Sequence, residues 1–143
     1  MLPDTIELQV VTPERHVLQK AVRSVEIPGK EGYLGVLPGH APLITELGIG
    51  VLTYRSDSET RYLSVVDGYA EVLPDRVIVL AEVSERGEEI DVARTRSALE
   101  RAKSEVAKTD AKDAEWNRAN LALQRALVRL QAAAKSGQSG AQE

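Results

Sequence analysis

The chain has 143 residues, with 18 Lys and Arg against 22 Asp and Glu and a formal net charge of −4. This length suits one domain or a small domain with an appendage, and such a chain buries roughly 68–70% of its unfolded surface without a staple. The lack of cysteine excludes disulfide frameworks and cysteine-ligated metal centres, no Lys/Arg run offers itself to nucleic acid, and no apolar stretch approaches the roughly 18–20 residues of a membrane span.

The opening Met1-Leu2-Pro3-Asp4-Thr5 has neither the charged nor the apolar segment of a secretion signal. Any connection to a membrane is therefore expected through a protein partner. Ile6, Leu8 and Val10 alternate with Glu7 and Gln9, the period of a half-buried strand. Val22, Val25 and Ile27 form a second apolar run, ended by Pro28-Gly29, and residues 34–37 form a third, ended by Pro38-Gly39. Residues 48–54 and 62–66 flank a polar stretch, 55–60, that reads as a hairpin loop. Residues 69–73 and 77–83 flank Pro74-Asp75, a pair suited to a tight turn. Short strands at this spacing, with no helical segment between them, predict an antiparallel β-sandwich or barrel over residues 1–86.

After Gly87 the period changes. Asp91 is placed to cap a helix starting at Val92, and Thr95, Leu99, Ala102 and Val106 form one stripe at helical spacing. Thr109 or Asp110 would cap a second helix, striped by Trp116, Ala119, Leu123, Leu127 and Leu130. Residues 87–134 thus read as an antiparallel two-helix hairpin, and the Gly/Ser/Gln-rich residues 135–143 as a disordered tail. The stripes are rich in alanine, which buries little apolar area but has the best helix propensity. Such a hairpin is expected to be detachable, with more than one arrangement.

Three stretches carry a family resemblance. Gly32-Tyr33-Leu34-Gly35-Val36-Leu37-Pro38-Gly39-His40-Ala41-Pro42-Leu43 resembles a G-x-L-G-[IV]-x-P-G-H-x-P-L segment. Gly68-Tyr69-Ala70-Glu71-Val72 is similar to a G-[GF]-x-E-V hairpin. Glu89-Ile90-Asp91-Val92-Ala93-Arg94 is similar to an [IL]-D-x-x-R-A helix start, and Val10-Val11-Thr12-Pro13 matches an opening V-x-[TS]-P. In this order and spacing they are the motifs of the epsilon subunits of bacterial-type F-type ATP synthases, and the likeness spans Ile6 to about Leu130.

The resemblance implies an N-terminal sandwich of about ten strands, a C-terminal two-helix hairpin, and a non-catalytic rotor subunit. It implies docking on the gamma subunit and the c-ring, with Glu31, Tyr33 and His40 in the loop region facing those partners. Many members carry an acidic residue where Tyr33 stands. The helices are implied to extend into the catalytic alpha/beta head and inhibit ATP hydrolysis. The implied location is peripheral, on the cytoplasmic face of the bacterial inner membrane, with the chloroplast thylakoid's stromal face as the other option.

No cofactor is required, but some bacterial members bind regulatory ATP between the helices. Carried over by motif, that site would comprise Glu85, Ile90, Asp91, Arg94, Arg125 and Arg129, with Thr95 where the motif has alanine. Arg125 and Arg129 are four apart and share a helix face, where forked donors suit phosphate oxygens. Two other readings stay open: solvated or locally paired arginines, and arginines facing an acidic segment of a catalytic subunit. His40 likewise reads either as a partner contact or as the brace of a rigid corner.

His16 and His40 lie in no metal or nucleophile motif, and no G-x-S-x-G, H-E-x-x-H or G-x-x-x-x-G-K-[ST] occurs. The rival to a rotor subunit is a free-standing nucleotide-sensing sandwich with a helical lid. The rigid Pro-Gly-His-Ala-Pro surface favours the rotor.

Overall fold

The computed structural model describes residues 4–137. Seven strands come first: β1 (Ile6–Val11), β2 (His16–Val22), β3 (Ser24–Gly29), β4 (Gly32–Val36), β5 (Leu43–Arg55), β6 (Thr60–Leu73) and β7 (Arg76–Arg86). A 3₁₀ turn (Gly87–Glu89) leads into α1 (Val92–Lys108) and α2 (Ala114–Lys135). Strands pair in the order β2-β1-β7-β6-β5-β3-β4, all antiparallel except β1 with β7. The sheet folds over a core of Val, Leu and Ile that includes Ile6, Leu8, Val10, Ile27, Leu52 and Leu63.

The strand count differs from the expected ten because three long strands serve both layers of the sandwich. In β6, Leu63 and Val65 point inward, yet so do Ala70 and Val72. Inward parity therefore changes between them, at Asp67 (φ 53°) and Gly68 (φ 114°). Only the second position lacks a side chain, and a methyl there would strike the Leu80 carbonyl. In β5 the inward residues change from Leu47 to Leu52 and Tyr54 across Gly48 and Gly50. In β7 they change from Val79 and Ala81 to Ser84. Cut at these crossings, the three would count as separate short strands; the backbone runs through instead.

Strand β2 has no counterpart in the sequence reading, which placed a single run from Val22 to Ile27. Its burial alternates poorly, with Val17 and Leu18 both buried, and at Arg23 the chain passes from pairing with β1 to pairing with β4 and β5. The two hairpins fall where they were expected, with residues 56–59 joining β5 to β6 and Pro74-Asp75 joining β6 to β7.

Asp91 caps α1, its carboxylate accepting the Arg94 N–H at 3.0 Å. The cap of α2 is Asp113, not Thr109 or Asp110. The Thr109 hydroxyl instead closes α1 by donating to the Glu105 carbonyl at 3.0 Å, and Asp110 accepts the Lys112 N–H within the loop. Thr95, Leu99 and Ala102 are buried as expected. On α2 the stripe shifts: Leu127 is exposed, while Ala126, Val128, Ala132 and Ala133 are buried. The helix packs against both α1 and the sheet, so its apolar surface is wider than one stripe. Of the expected tail, residues 138–143 lie outside the described residues; Lys135 is the last residue of α2, and the Ser136 N–H reaches the Ala132 carbonyl at 3.1 Å.

Candidate functional site

The parity change gives the sandwich two outer faces. One, from the later half of β5 and the earlier half of β6, presents Ile49, Val51, Tyr62 and Val66 to Ile90, Val92, Val128, Ala132 and Ala133. The helices cover it. On the other face, two rows of residues run across the paired strands. Ile44 lies opposite Glu71, which lies opposite Ile78; Glu46 lies opposite Tyr69, which lies opposite Leu80. Leu80 in turn pairs with Val11. Ile44 is 69% exposed, Tyr69 56% and Leu80 54%. Glu46, held by Lys30 at 2.6 Å, and the exposed Glu82 give this face an acidic rim, and the exposed Glu71 stands between Ile44 and Ile78.

The sequence reading missed this face, although a signal was present. Residues 77–81 are apolar at both parities, so the strand carries more apolar side chains than one buried face needs. A contiguous exposed apolar surface rimmed by polar groups marks an interaction site.

The expected partner loops are placed as follows. Glu31 is exposed at the turn between β3 and β4, and makes no hydrogen bond or ion pair among the described residues. Tyr33 is exposed, but its hydroxyl has an internal task. The β3–β5 register shifts between Glu26 and Gly29, around Pro28. The Tyr33 hydroxyl accepts the Val51 N–H there at 3.2 Å. Its ring end lies over Gly50, where a methyl would meet the hydroxyl and Pro28. His40 is half-buried, with Nδ1 2.7 Å from the Ala41 carbonyl. Its loop is braced by the His40 N–H on the Leu37 carbonyl (3.1 Å) and the Gly39 N–H on the Pro74 carbonyl (2.8 Å). No hydrogen bond joins His40 to Glu31 or Tyr33 among the described residues.

Of the six residues of the expected nucleotide site, the fold joins two side chain to side chain. The Arg129 guanidinium grips Glu85 with Nε at 2.6 Å and Nη2 at 3.2 Å. Ile90 is buried in the apolar cluster beneath the helices, and the Asp91 carboxylate is occupied as the α1 cap. Arg94 and Arg125 are exposed, and their guanidinium groups make no hydrogen bond or ion pair among the described residues. Thr95 is fully buried, and its hydroxyl donates to the Asp91 carbonyl at 2.7 Å. Its extra polarity relative to alanine is thus satisfied inside the helix. A groove of about 520 Å³ between the helices is lined instead by Ala98, Arg101, Ala102, Lys108, Ala119 and Ala122, none of them in the expected set.

A charge network ties the sandwich to the turn before α1. Glu59 receives Lys20 at 2.8 Å and Arg61 at 2.7 Å, and Arg61 also lies 3.7 Å from Glu88. Hydrogen bonds from Arg61 and then Lys20 hold the Glu59 carboxyl down at about 2. Arg86 donates from Nε and Nη2 to the Val17 carbonyl at 3.0 and 2.8 Å, anchoring the end of β7.

Among the described residues, no helix is long and apolar enough to cross a membrane. Comparison with known proteins places the chain. Residues 5–87 match the ATP synthase delta/epsilon chain beta-sandwich domain, and residues 88–134 match the long alpha-helix domain of the same chain. The ATP synthase epsilon chain of Koribacter versatilis (strain Ellin345) is 53% identical over 105 residues, 73% of this chain and 74% of that one. That of Syntrophobacter fumaroxidans (strain DSM 10017 / MPOB) is 46% identical over 136 residues, 94% of this chain and 100% of that one. A chain in the Euglena gracilis mitochondrial ATP synthase structure shares the fold at a TM-score of 0.77 and 24% identity, covering 96% of this chain and 83% of its own. The sandwich, the helix pair and these relatives agree: the chain belongs to the epsilon chain family of ATP synthase, whose members are non-catalytic subunits of that enzyme.

Proposed function

We propose that the chain is a rotor subunit of the central stalk of a bacterial F-type ATP synthase, peripheral on the cytoplasmic face of the inner membrane. The uncovered apolar face carries this reading. In a member of this family, Ile44, Tyr69 and Leu80 form a surface that the chain's own helices leave bare. The gamma subunit docks there, and the turn and loop bearing Glu31, Tyr33 and His40 face the c-ring. Of these three, Glu31 has a side chain free of internal bonds, so it is the charge offered to the ring. The helix pair inhibits ATP hydrolysis by leaving the covered face and entering the alpha/beta head.

The test is ATP hydrolysis by the matching catalytic head with the full chain and with a version ending at Gly87. The full chain is expected to lower turnover and the shortened chain to restore it. Equal turnover with both, while both bind gamma, would remove the brake and leave the coupling role. Copurification with gamma separates the rotor from a free-standing nucleotide sensor.

A second reading, regulatory ATP at Glu85, Ile90, Asp91, Arg94, Arg125 and Arg129, rests on the guanidinium groups of Arg94 and Arg125, which are exposed and without an ion pair among the described residues. Titration with MgATP is expected to release heat below millimolar ligand. Absence of heat at millimolar MgATP would end that reading.

A further inference from the structure

The helix pair is fastened to the sandwich at one end only. Near the start of α1 and the end of α2, Ile90, Val92, Val128, Ala132 and Ala133 pack on Ile49, Val51, Tyr62 and Val66. Toward the loop between the helices, Leu121 and Gln124 instead border an open cleft of about 640 Å³ facing Lys30, Gly48, Asp67 and Glu82. Two of the three α2 residues in the apolar contact are alanines, and alanine burial removes little area from water at about 25 cal/mol per Å². The apolar contribution of α2 is therefore modest, and a directed polar contact from that helix takes a larger share of its hold on the sheet.

Among the described residues, one ion pair joins either helix to the sheet, and it is Glu85 with Arg129. Both partners are well positioned. The Ser64 hydroxyl accepts the Glu85 N–H at 3.1 Å, and Glu85 sits opposite Ser64 in the β6–β7 register. Arg129 projects from α2 one residue after the buried Val128 and three before the buried Ala132. The two side chains are 28% and 27% exposed, and the guanidinium engages both carboxylate oxygens. Forked geometry with partial burial separates this pair from exposed surface ion pairs. Removing one partner leaves a charge half-withdrawn from water, which penalises the docked state alone.

We propose that Glu85 and Arg129 form a clasp that holds the helix pair on the sandwich without any bound nucleotide, so that the docked arrangement is the resting state of the free chain. The clasp sets how often the pair is released, and a partner takes up the helices by supplying groups that replace it. The proposal does not depend on the nucleotide reading; it gives two of those six residues to each other.

The lack of cysteine makes site-specific labelling straightforward. Spin labels at Ser58→Cys in the β5–β6 loop and Ser104→Cys on α1 report the distance between the sandwich and the helix pair, both positions being exposed. In the nucleotide-free full chain a single narrow distance distribution is expected. Glu85→Gln and Arg129→Gln should each raise the ratio of undocked to docked molecules by about ten-fold. The double variant should be no more open than the worse single one, because both changes remove one interaction. Backbone amide spectra of the sandwich serve as the folding control. A broad distribution in the parent chain, single variants with the parent's distribution, or additive effects in the double variant would each overturn the clasp. MgATP added to the same labelled parent reads the nucleotide question separately.

Discussion

The sandwich has two outer faces made from the same three strands, and they meet different fates. On one side of the crossings, Ile49, Val51 and Val66 are covered by the chain's own helices. On the other side, Ile44, Tyr69 and Leu80 are left open. Both faces are apolar at the centre, so hydrophobicity alone does not decide which one is covered. Connectivity does: β7 ends beside the covered face, and the short turn after Arg86 delivers the helices there. The bare face is consequently available to another protein, whereas access to the covered face requires the helices to leave.

Both faces rest on one shared core. Leu52 is fully buried between the layers. Leu52→Ala should destabilise the sandwich by about 2–5 kcal/mol, seen as a lowered Tm with both faces lost together. Leu80→Glu on the bare face should leave Tm nearly unchanged, since the side chain gives up little burial. A large Tm drop for Leu80→Glu would mean that this face is supporting structure and not a docking surface.

A smaller effect tests the partner loop. Tyr33→Phe removes the acceptor of the Val51 N–H. The expected cost is about 1–3 kcal/mol, that of leaving a buried donor unpaired. Chemical denaturation measures it; an unchanged midpoint would return Tyr33 to a purely partner-facing role.

The smallest effect is one of pH. Glu59 titrates near 4.5 when unfolded and at about 2 in the native state. The native state therefore binds fewer protons between these values, so the contribution of Glu59 to stability is complete above about 4.5 and lost as pH falls toward about 2. Carbon NMR of the Glu59 carboxyl should give a midpoint near 2, and Arg61→Gln should move it back toward 4.5. A parent midpoint at the ordinary value would dissolve the network that braces the turn before α1.

What the sequence revealed follows the range over which its signals act. Local signals read well: the alternation of Ile6, Leu8 and Val10, the Pro74-Asp75 turn, and the Asp91 cap are each set by a few neighbouring residues. Strand β2 was missed because Val17 and Leu18 break the alternation that would have marked it. The bare face was hidden by the parity change at Asp67 and Gly68, since a constant period assigns Tyr69 to the wrong side. Motif matching put Glu85 and Arg129 in one expected nucleotide set, yet gave no sign that the two, 44 residues apart, would bind each other. Nor could spacing show that the Tyr33 hydroxyl takes the Val51 N–H where the β3–β5 register shifts. Such pairings depend on the closed topology, and no local pattern records them.

The most direct measurement is the affinity of the gamma subunit for the full chain and for its Leu80→Glu variant, with Tm recorded for both. The account predicts at least a hundred-fold loss of affinity, about 2.8 kcal/mol, at an unchanged Tm. Equal affinities would contradict it and leave the bare face without a partner.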